Sequence, residues 1–122
     1  MTDTVLNHAR IVDPVAGTEH LGAVLIRDGR IAEIAAKPYP AGEFDSGVID
    51  LKGAVVAPGL VDLRAFIGEP GEEHRETFRS ASEAAAAGGV TTIVMQPNTS
   101  PAIDEPAVVD FVLRRARDTG LV

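Results

Sequence analysis

The chain has 122 residues, a net charge of −7 and no cysteine. The acidic balance argues against nucleic acid or an anionic membrane surface as a partner, because both require a basic patch. The lack of cysteine excludes disulfide bonds and thiolate metal ligands and is typical of a cytoplasmic protein. The N-terminus shows no signal-peptide pattern and no apolar stretch is long enough to span a bilayer, so we expect a soluble chain.

The first 57 residues predict a small antiparallel β unit. Its candidate strands are residues 4–12, 20–26, 31–34 and a further strand from position 48. Asp28-Gly29 is a strong hairpin signal, because both residue types accept the positive φ angles of a tight turn. The stretch 37–46, which contains Pro38, Pro40 and Gly42, predicts a loop.

From position 58 the pattern changes to alternating strands and helices. Residues 60–67 follow the Pro58-Gly59 bend and predict a buried strand, and residues 76–87 predict an alanine-rich helix that ends at Gly88. Residues 90–95 predict a second strand. Strand, helix and strand at this length are typical of a βαβ unit, in which the two strands run parallel.

A second helix follows, with Asp104 as its predicted N-cap and Pro106 in its first turn. Gly120 predicts its C-cap, and Leu121-Val122 predict the start of another strand. A (β/α)8 barrel needs roughly 250 residues, so residues 58–122 could hold only two βα units. Because two strands leave a sheet edge and apolar faces uncovered, we expect a fragment, a truncated product, or part of an oligomer completed by another chain.

Two separated runs are similar to a known family. They are Pro58-Gly59-Leu60-Val61-Asp62 with Glu69-Pro70-Gly71 and Glu73-His74, and Gly88-Gly89-Val90-Thr91-Thr92 with Pro97-Asn98-Thr99-Ser100-Pro101 and Asp104. Together they resemble the first two barrel strands of dihydroorotases, amidohydrolase-superfamily enzymes that interconvert carbamoyl aspartate and dihydroorotate. Hydantoinases and allantoinases share the plan, but the Glu-Pro-Gly and Pro-Asn-Thr pieces favour dihydroorotase.

The resemblance implies an α/β architecture. Residues 1–57 would be the N-terminal part of a β-sandwich, and residues 58–122 would be the first two βα units of a TIM-like amidohydrolase barrel, which is incomplete here. In such barrels the active site lies at the carboxyl ends of the strands. Residues 64–68 and 96–99 are therefore the site candidates.

The chain departs from the family pattern at three positions of the first barrel strand. After the aspartate, here Asp62, the family has His-x-His and then an arginine, whereas this chain has Arg64, Phe66 and Gly68. The resemblance implies that the two histidines bind catalytic zinc and that the arginine holds the substrate carboxylate. Arginine has no lone pair for a metal and phenylalanine offers only an apolar ring. We therefore expect no catalytic residue, zinc ion or other cofactor in this chain, although zinc serves active relatives.

The histidines present do not replace the missing pair. His8, His20 and His74 lie in three different predicted elements and no pair has ligand spacing, whereas a catalytic zinc usually has three protein ligands. No Gly-x-Ser-x-Gly turn is present, and Gly88-Gly89 lacks the rest of a phosphate-binding pattern. The sequence therefore contains no independent catalytic constellation.

The remaining polar residues have simpler interpretations. We expect Phe66 to fill the volume that metal and water occupy in active relatives, and Asp62 to form hydrogen bonds at the mouth of the strand. We expect Arg64 to pair with an acidic neighbour, either Asp62 or a residue outside this chain. Asn98 lies at the family position that contacts the dihydroorotate carboxylate. It is either a vestigial substrate-binding residue or a cap for the loop before Pro101, since asparagine can bond its own backbone in a turn.

We interpret the chain as the N-terminal portion of a dihydroorotase-like protein of pyrimidine biosynthesis that has become a pseudoenzyme. The losses at Arg64, Phe66 and Gly68 resemble the non-catalytic dihydroorotase homologues of some bacteria, which implies aspartate transcarbamoylase as a structural partner. The alternative is an active zinc-dependent cyclic amide hydrolase whose other ligands lie outside these residues. A third hypothesis is a decayed or cut fragment with no function of its own.

Overall fold

A computed structural model describes residues 3–45 and 47–119. The chain divides into two compact units, residues 1–58 and 59–122. In chain order, the elements are β1 (Asp3–Asp13), β2 (Thr18–Arg27), β3 (Arg30–Ala35), β4 (Val48–Asp50), β5 (Val55–Val56), β6 (Leu60–Ala65), α1 (Phe78–Ala87), β7 (Val90–Met95) and α2 (Pro106–Thr119). The architecture is therefore mixed α/β, as predicted. Within the described ranges, no helix is long and apolar enough to cross a membrane.

The first unit contains a five-stranded sheet in the order β3-β2-β1-β4, with β5 also paired to β1. The Asp28-Gly29 hairpin is confirmed: φ is 51° at Asp28 and 72° at Gly29, and β2 and β3 pair antiparallel. The prediction of a purely antiparallel unit is wrong, because β4 and β5 run parallel to β1. Strands β3 and β4 lie on opposite sides of the β2-β1 pair, so consecutive strands are not neighbours in the sheet, and no local sequence signal indicates this order.

A β-bulge in β1 decides which side chains are buried on each face of this sheet. The register with β2 shifts between Leu6 and Ala9, and His8 within the bulge has a φ of 51°. Side chains alternate between faces along a regular strand, so an inserted residue moves those beyond it to the other face. Val5 consequently packs with one buried cluster, and Ala9 and Ile11 pack with another.

Asn7 ties the connection between β3 and β4 to the sheet. Its side chain is buried, its Nδ2 donates to the Tyr39 carbonyl at 3.1 Å, and its Oδ1 accepts from the Tyr39 amide at 3.0 Å. The Tyr39 ring also packs edge-on against Phe44, with ring centroids 5.0 Å apart. A buried amide whose oxygen and nitrogen both find partners therefore fixes the backbone of this loop.

The second unit begins as the predicted βαβ motif. Strands β6 and β7 pair in parallel, with α1 between them in sequence, which confirms the predicted pairing. The first strand is shorter than predicted, since β6 ends at Ala65 rather than at position 67. It is also not buried: Leu60 is 61% exposed and Leu63 is 75% exposed. The described core of this unit is built instead on Ile67, Phe78 and Ala81.

The two helices begin later than the sequence predicts. Thr77 caps α1: its Oγ1 accepts the Ser80 amide at 3.2 Å, and Ser80 Oγ accepts the Thr77 amide at 3.0 Å. This reciprocal pair satisfies two amides that have no partner within the helix, so the helix starts at Phe78 instead of position 76. Before α2, it is the Glu105 carbonyl that accepts from Val108 and Val109. The predicted N-cap Asp104 therefore lies one residue too early, whereas Gly120 and Leu121-Val122 lie outside the described residues.

We predict that Val5→Ala destabilises the first unit. Val5 is fully buried, and removing its methyl groups loses apolar burial and leaves a cavity, at a cost of about 2 kcal/mol. The same change at Val15, which is 95% exposed, serves as the control and should leave stability unchanged. Denaturant unfolding of both variants checks the prediction, and equal effects of the two substitutions would contradict it.

We also predict a pH-dependent effect of Asp3→Asn. Asp3 accepts from Arg27 Nε at 2.9 Å and from Nη2 at 2.7 Å, and this guanidinium holds the pKa of the Asp3 carboxyl below its ordinary value. A lowered carboxyl pKa stabilises the folded state above the ordinary pKa, and the contribution is lost as the pH falls through the lowered value. The variant should therefore unfold more easily than the parent at neutral pH and match it in strong acid.

Thermal melts of the parent and Asp3→Asn across an acid-to-neutral pH series measure this difference. Asp45→Asn is the matched control, because Asp45 is exposed. A gap between Asp3→Asn and its parent that widens in acid would contradict the expected sign.

Candidate functional site

The candidate site lies at the carboxyl ends of β6 and β7. Because the two strands are parallel, their ends meet at one edge of the sheet, and the Gln96 amide donates to the Ala65 carbonyl at 2.9 Å just beyond β7. The residues after β6 and the loop that carries Asn98 therefore leave the sheet side by side. The structure brings together the two segments that the sequence indicates as site candidates.

Arg64 and Asp62 contact each other, although not as an ion pair. Asp62 Oδ1 accepts the backbone amide of Arg64 at 2.9 Å. The expected hydrogen-bonding role of Asp62 at the strand mouth is confirmed. Asp62 is not the ionic partner of the Arg64 guanidinium, so pairing of Arg64 with an acidic residue outside this chain stays a prediction. Both residues line a cavity of about 340 Å³, which is also lined by Phe66 and Glu76.

Phe66 is half-buried and lies beneath a cation. The guanidinium carbon of Arg75 is 4.5 Å from the centroid of the Phe66 ring, and the same guanidinium forms an ion pair with Glu72. Stacking of this kind is attractive because the face of an aromatic ring is electron-rich. A phenyl ring in contact with a guanidinium therefore occupies the position where the family pattern has its second histidine.

These residues do not fit a zinc ion. Arg64 carries a positive charge and has no lone pair, and Phe66 has no donor atom. Within residues 3–45 and 47–119, no three or more histidine, cysteine, aspartate or glutamate side chains are arranged to hold a metal. Arg64 and Phe66 therefore support no metal-dependent step at this position.

The backbone around Gly68 leaves no space for a side chain. The residue is buried, and a Cβ atom added to it would collide with the backbone carbonyl oxygens of Glu72 and Glu76. The Glu72 amide also donates to the Gly68 carbonyl at 2.5 Å, so the turn folds tightly around this residue. With this backbone, position 68 has no room for the arginine that the family pattern has there.

Glu69 is the residue of this region that sequence reasoning missed. Its carboxylate is 3% exposed; Oε2 accepts the amide of Phe78, the first residue of α1, at 3.0 Å, and Oε1 accepts Nε of Arg115 at 2.6 Å. From the sequence alone, Glu72, Glu73 and Glu76 are the expected source of negative charge at the start of α1, and Arg115 is expected on a solvated face.

A sequence signal for Arg115 does exist. Arg115 follows Val108 and Val112 at spacings of seven and three, which places it on the same face of α2 as these apolar residues. An arginine next to apolar residues can lay its methylene stem along them while its guanidinium reaches an acidic partner. Glu69, which lies in the loop before α1, is that partner.

The loop after β7 is held by residues other than Asn98. Asn98 is exposed, Thr99 Oγ1 donates to the Pro101 carbonyl at 2.7 Å, and the Ser100 amide donates to the Pro70 carbonyl at 3.1 Å. The side-chain contact expected of Asn98 is therefore made by Thr99. Substrate contact by Asn98 stays a prediction.

The three histidines have separate surroundings. In the first unit, His8 Nδ1 is 3.0 Å from Asp50 Oδ1, and His20 Nε2 is buried without a hydrogen-bond partner among the described residues. In the second unit, His74 is exposed, next to Glu73, which accepts the Gly71 amide at 2.9 Å. That hydrogen bond is the main cause that lowers the pKa of Glu73.

Comparison with known proteins shows which family the chain resembles. A family model described as Dihydro-orotase-like matches residues 53–122. The dihydroorotase of Syntrophus aciditrophicus is 41% identical over 118 residues, which cover 97% of this chain and 28% of that protein. The dihydroorotase of Anaplasma phagocytophilum is 42% identical over 118 residues, with coverage of 94% and 26%. The chain thus spans little more than a quarter of the length of these relatives.

Solved structures give a concordant result. An L-hydantoinase from Arthrobacter aurescens superimposes with a TM-score of 0.82 and 29% identity, over 95% of this chain and 25% of that one. A D-hydantoinase superimposes with a TM-score of 0.76 and 28% identity, over 99% and 26%. These likenesses cover both units of the chain.

We predict that Gly68→Ala destabilises the second unit. The new Cβ would press on the backbone carbonyls of Glu72 and Glu76, and relieving such overpacking costs about 1–3 kcal/mol. Gly88→Ala is the matched control, because Gly88 has a helical φ of −87° and a Cβ added there would lie 3.5 Å from the Ala85 carbonyl oxygen, an ordinary contact. Equal unfolding midpoints for Gly68→Ala and its parent would refute the closed position at residue 68.

Proposed function

Because this chain belongs to the dihydroorotase-like family of the amidohydrolase superfamily, as an N-terminal portion, we propose that it serves pyrimidine biosynthesis without catalysis. The observation that supports this proposal is the pair Arg64 and Phe66 at the family's zinc-binding positions, with Arg75 stacked on the ring. A cation and an apolar ring supply none of the lone pairs that zinc requires. The protein would be a cytoplasmic pseudoenzyme.

The same proposal includes a barrel architecture for the second unit and a β-sandwich for the first. Residues 58–122 would form the first two βα units of a (β/α)8 barrel, and residues 1–57 the N-terminal part of the flanking β-sandwich. The parallel pairing of β6 with β7 supports the barrel, as do Leu60, Val61 and Leu63, which are exposed in the described unit and suited to packing against further elements. The fit to two hydantoinase structures also supports it.

Substrate recognition is weakened at the same edge of the sheet. Position 68 lacks the guanidinium that would hold a substrate carboxylate, and the closed backbone around Gly68 leaves no room for one. Asn98 remains as a single neutral contact, which is weaker than a bidentate arginine. We therefore assign at most a vestigial substrate site to Asn98.

The proposed role is structural, as a partner of aspartate transcarbamoylase. The contacts that organise the fold are present, including the Thr77–Ser80 capping pair and the Glu69–Arg115 ion pair, whereas the metal-binding side chains are replaced. A fold can persist while its site changes, because packing and chemistry depend on different residues. Such a protein suits a role in assembly.

The second candidate is an active zinc-dependent cyclic amide hydrolase. The likeness to two hydantoinases and the identity of about two-fifths to named dihydroorotases favour it. It requires that segments outside these residues supply a metal-binding set without the first-strand histidines.

Three measurements on the full-length protein that contains this chain separate the two candidates. We expect no stoichiometric zinc by metal analysis, no hydrolysis of dihydroorotate, and co-elution with aspartate transcarbamoylase in size-exclusion chromatography. The dihydroorotase of Syntrophus aciditrophicus is the positive control for turnover. Stoichiometric zinc with turnover would establish the hydrolase instead, and a protein with neither turnover nor co-elution would refute the assembly role.

A further inference from the structure

We propose that Glu69 is a positioning residue that holds two loops together, the loop 66–77 after β6 and the loop 96–105 that carries Asn98. The functional meaning rests on the proposed function, in which these loops form the surface that replaces the active site. The structural basis is the buried Glu69 carboxylate and the contacts made by its neighbours in the chain.

The carboxylate cannot move without loss of both its partners. Glu69 is 3% exposed, and each of its oxygens accepts one hydrogen bond, from the Phe78 amide and from Arg115. The first of these donors lies at the start of α1, where the unpaired amides favour a negative charge. A buried carboxylate that lost a partner would be left with an uncompensated charge, so the side chain and its backbone are held in place.

The residues next to Glu69 carry this constraint to the second loop. The Pro70 carbonyl accepts the Ser100 amide at 3.1 Å. Gly71 has a φ of 101°, and a Cβ there would collide with the Ser100 carbonyl, so only glycine allows this approach. The backbone of loop 66–77 therefore directly supports the backbone of loop 96–105, two residues beyond Asn98.

Arg115 attaches loop 96–105 to Glu69 through α2, the helix that follows the loop. The loop leads directly into α2, and the Arg115 guanidinium on α2 donates to Glu69. Pro70, Pro101 and Phe111 also line one apolar groove, which brings the loop, the helix and the Glu69-Pro70 segment together. Loop 96–105 is thus attached at two points. Ser100 bonds Pro70, the residue after Glu69, and α2 is attached to Glu69 itself through Arg115.

Hydrogen–deuterium exchange of the full-length protein, followed by mass spectrometry, tests the proposal. In Glu69→Gln we expect the peptide that covers 96–105 to exchange roughly ten- to a hundredfold faster, because a hydrogen bond to a charged group is lost. Peptides from β1 and β2 should exchange as in the parent. Glu83→Gln makes the same chemical change at an exposed residue of α1 and should leave all peptides unchanged.

Arg115 provides a second pair of variants if Glu69→Gln fails to fold. Arg115→Met removes the cation and should speed exchange in 96–105, whereas Arg115→Lys keeps a cation within reach of Glu69 and should restore part of the protection. A purely structural role would accelerate exchange throughout the second unit, including β7, and Lys would not rescue it. That result, or an unchanged 96–105 peptide in Arg115→Met, would overturn the positioning role. Zinc content, turnover and co-elution would still decide the proposed function independently.

Discussion

A carboxylate that is removed from water must be paired with hydrogen-bond donors, and in the second unit this constraint applies to the buried carboxylate of Glu69. Desolvation makes an unpaired charge costly, so the residue can be buried only where donors are already arranged. The start of α1 supplies one donor, and Arg115 of α2 supplies the other. Two helices that are far apart in sequence are thereby fixed to one residue between β6 and α1. The loops that follow β6 and β7 are positioned by these contacts.

In the same region, three residues depart from the family pattern while the segment next to them keeps it. Arg64, Phe66 and Gly68 differ from the family pattern, whereas Glu69-Pro70-Gly71 matches it. Each of the three residues makes its own contacts. Asp62 accepts the Arg64 amide and Arg75 stacks on Phe66. Gly68 packs against the backbone carbonyls of Glu72 and Glu76. Each replacement is accommodated locally. The fold therefore does not require metal ligands at these positions.

The first unit depends on a different constraint, the β-bulge between Leu6 and Ala9. One extra residue in β1 allows Val5 and Ala9 to pack into separate clusters, so a single strand contributes to both faces of the sheet. Asn7 lies at the bulge and bonds both backbone groups of Tyr39. The irregular strand thus also anchors the connection that lets β4 return parallel to β1.

Local patterns in the sequence determined the elements and the family. Asp28-Gly29 specifies its own turn, the apolar runs at 60–67 and 90–95 predict strands, and the substitutions Arg64 and Phe66 are visible without coordinates, because each of these signals involves neighbouring residues. The parallel direction of β4, the burial of Glu69 and its bonds to Phe78 and Arg115 were decided only by the tertiary structure. They join residues up to 46 positions apart, and a partner at that distance is selected by packing and desolvation rather than by the local chain.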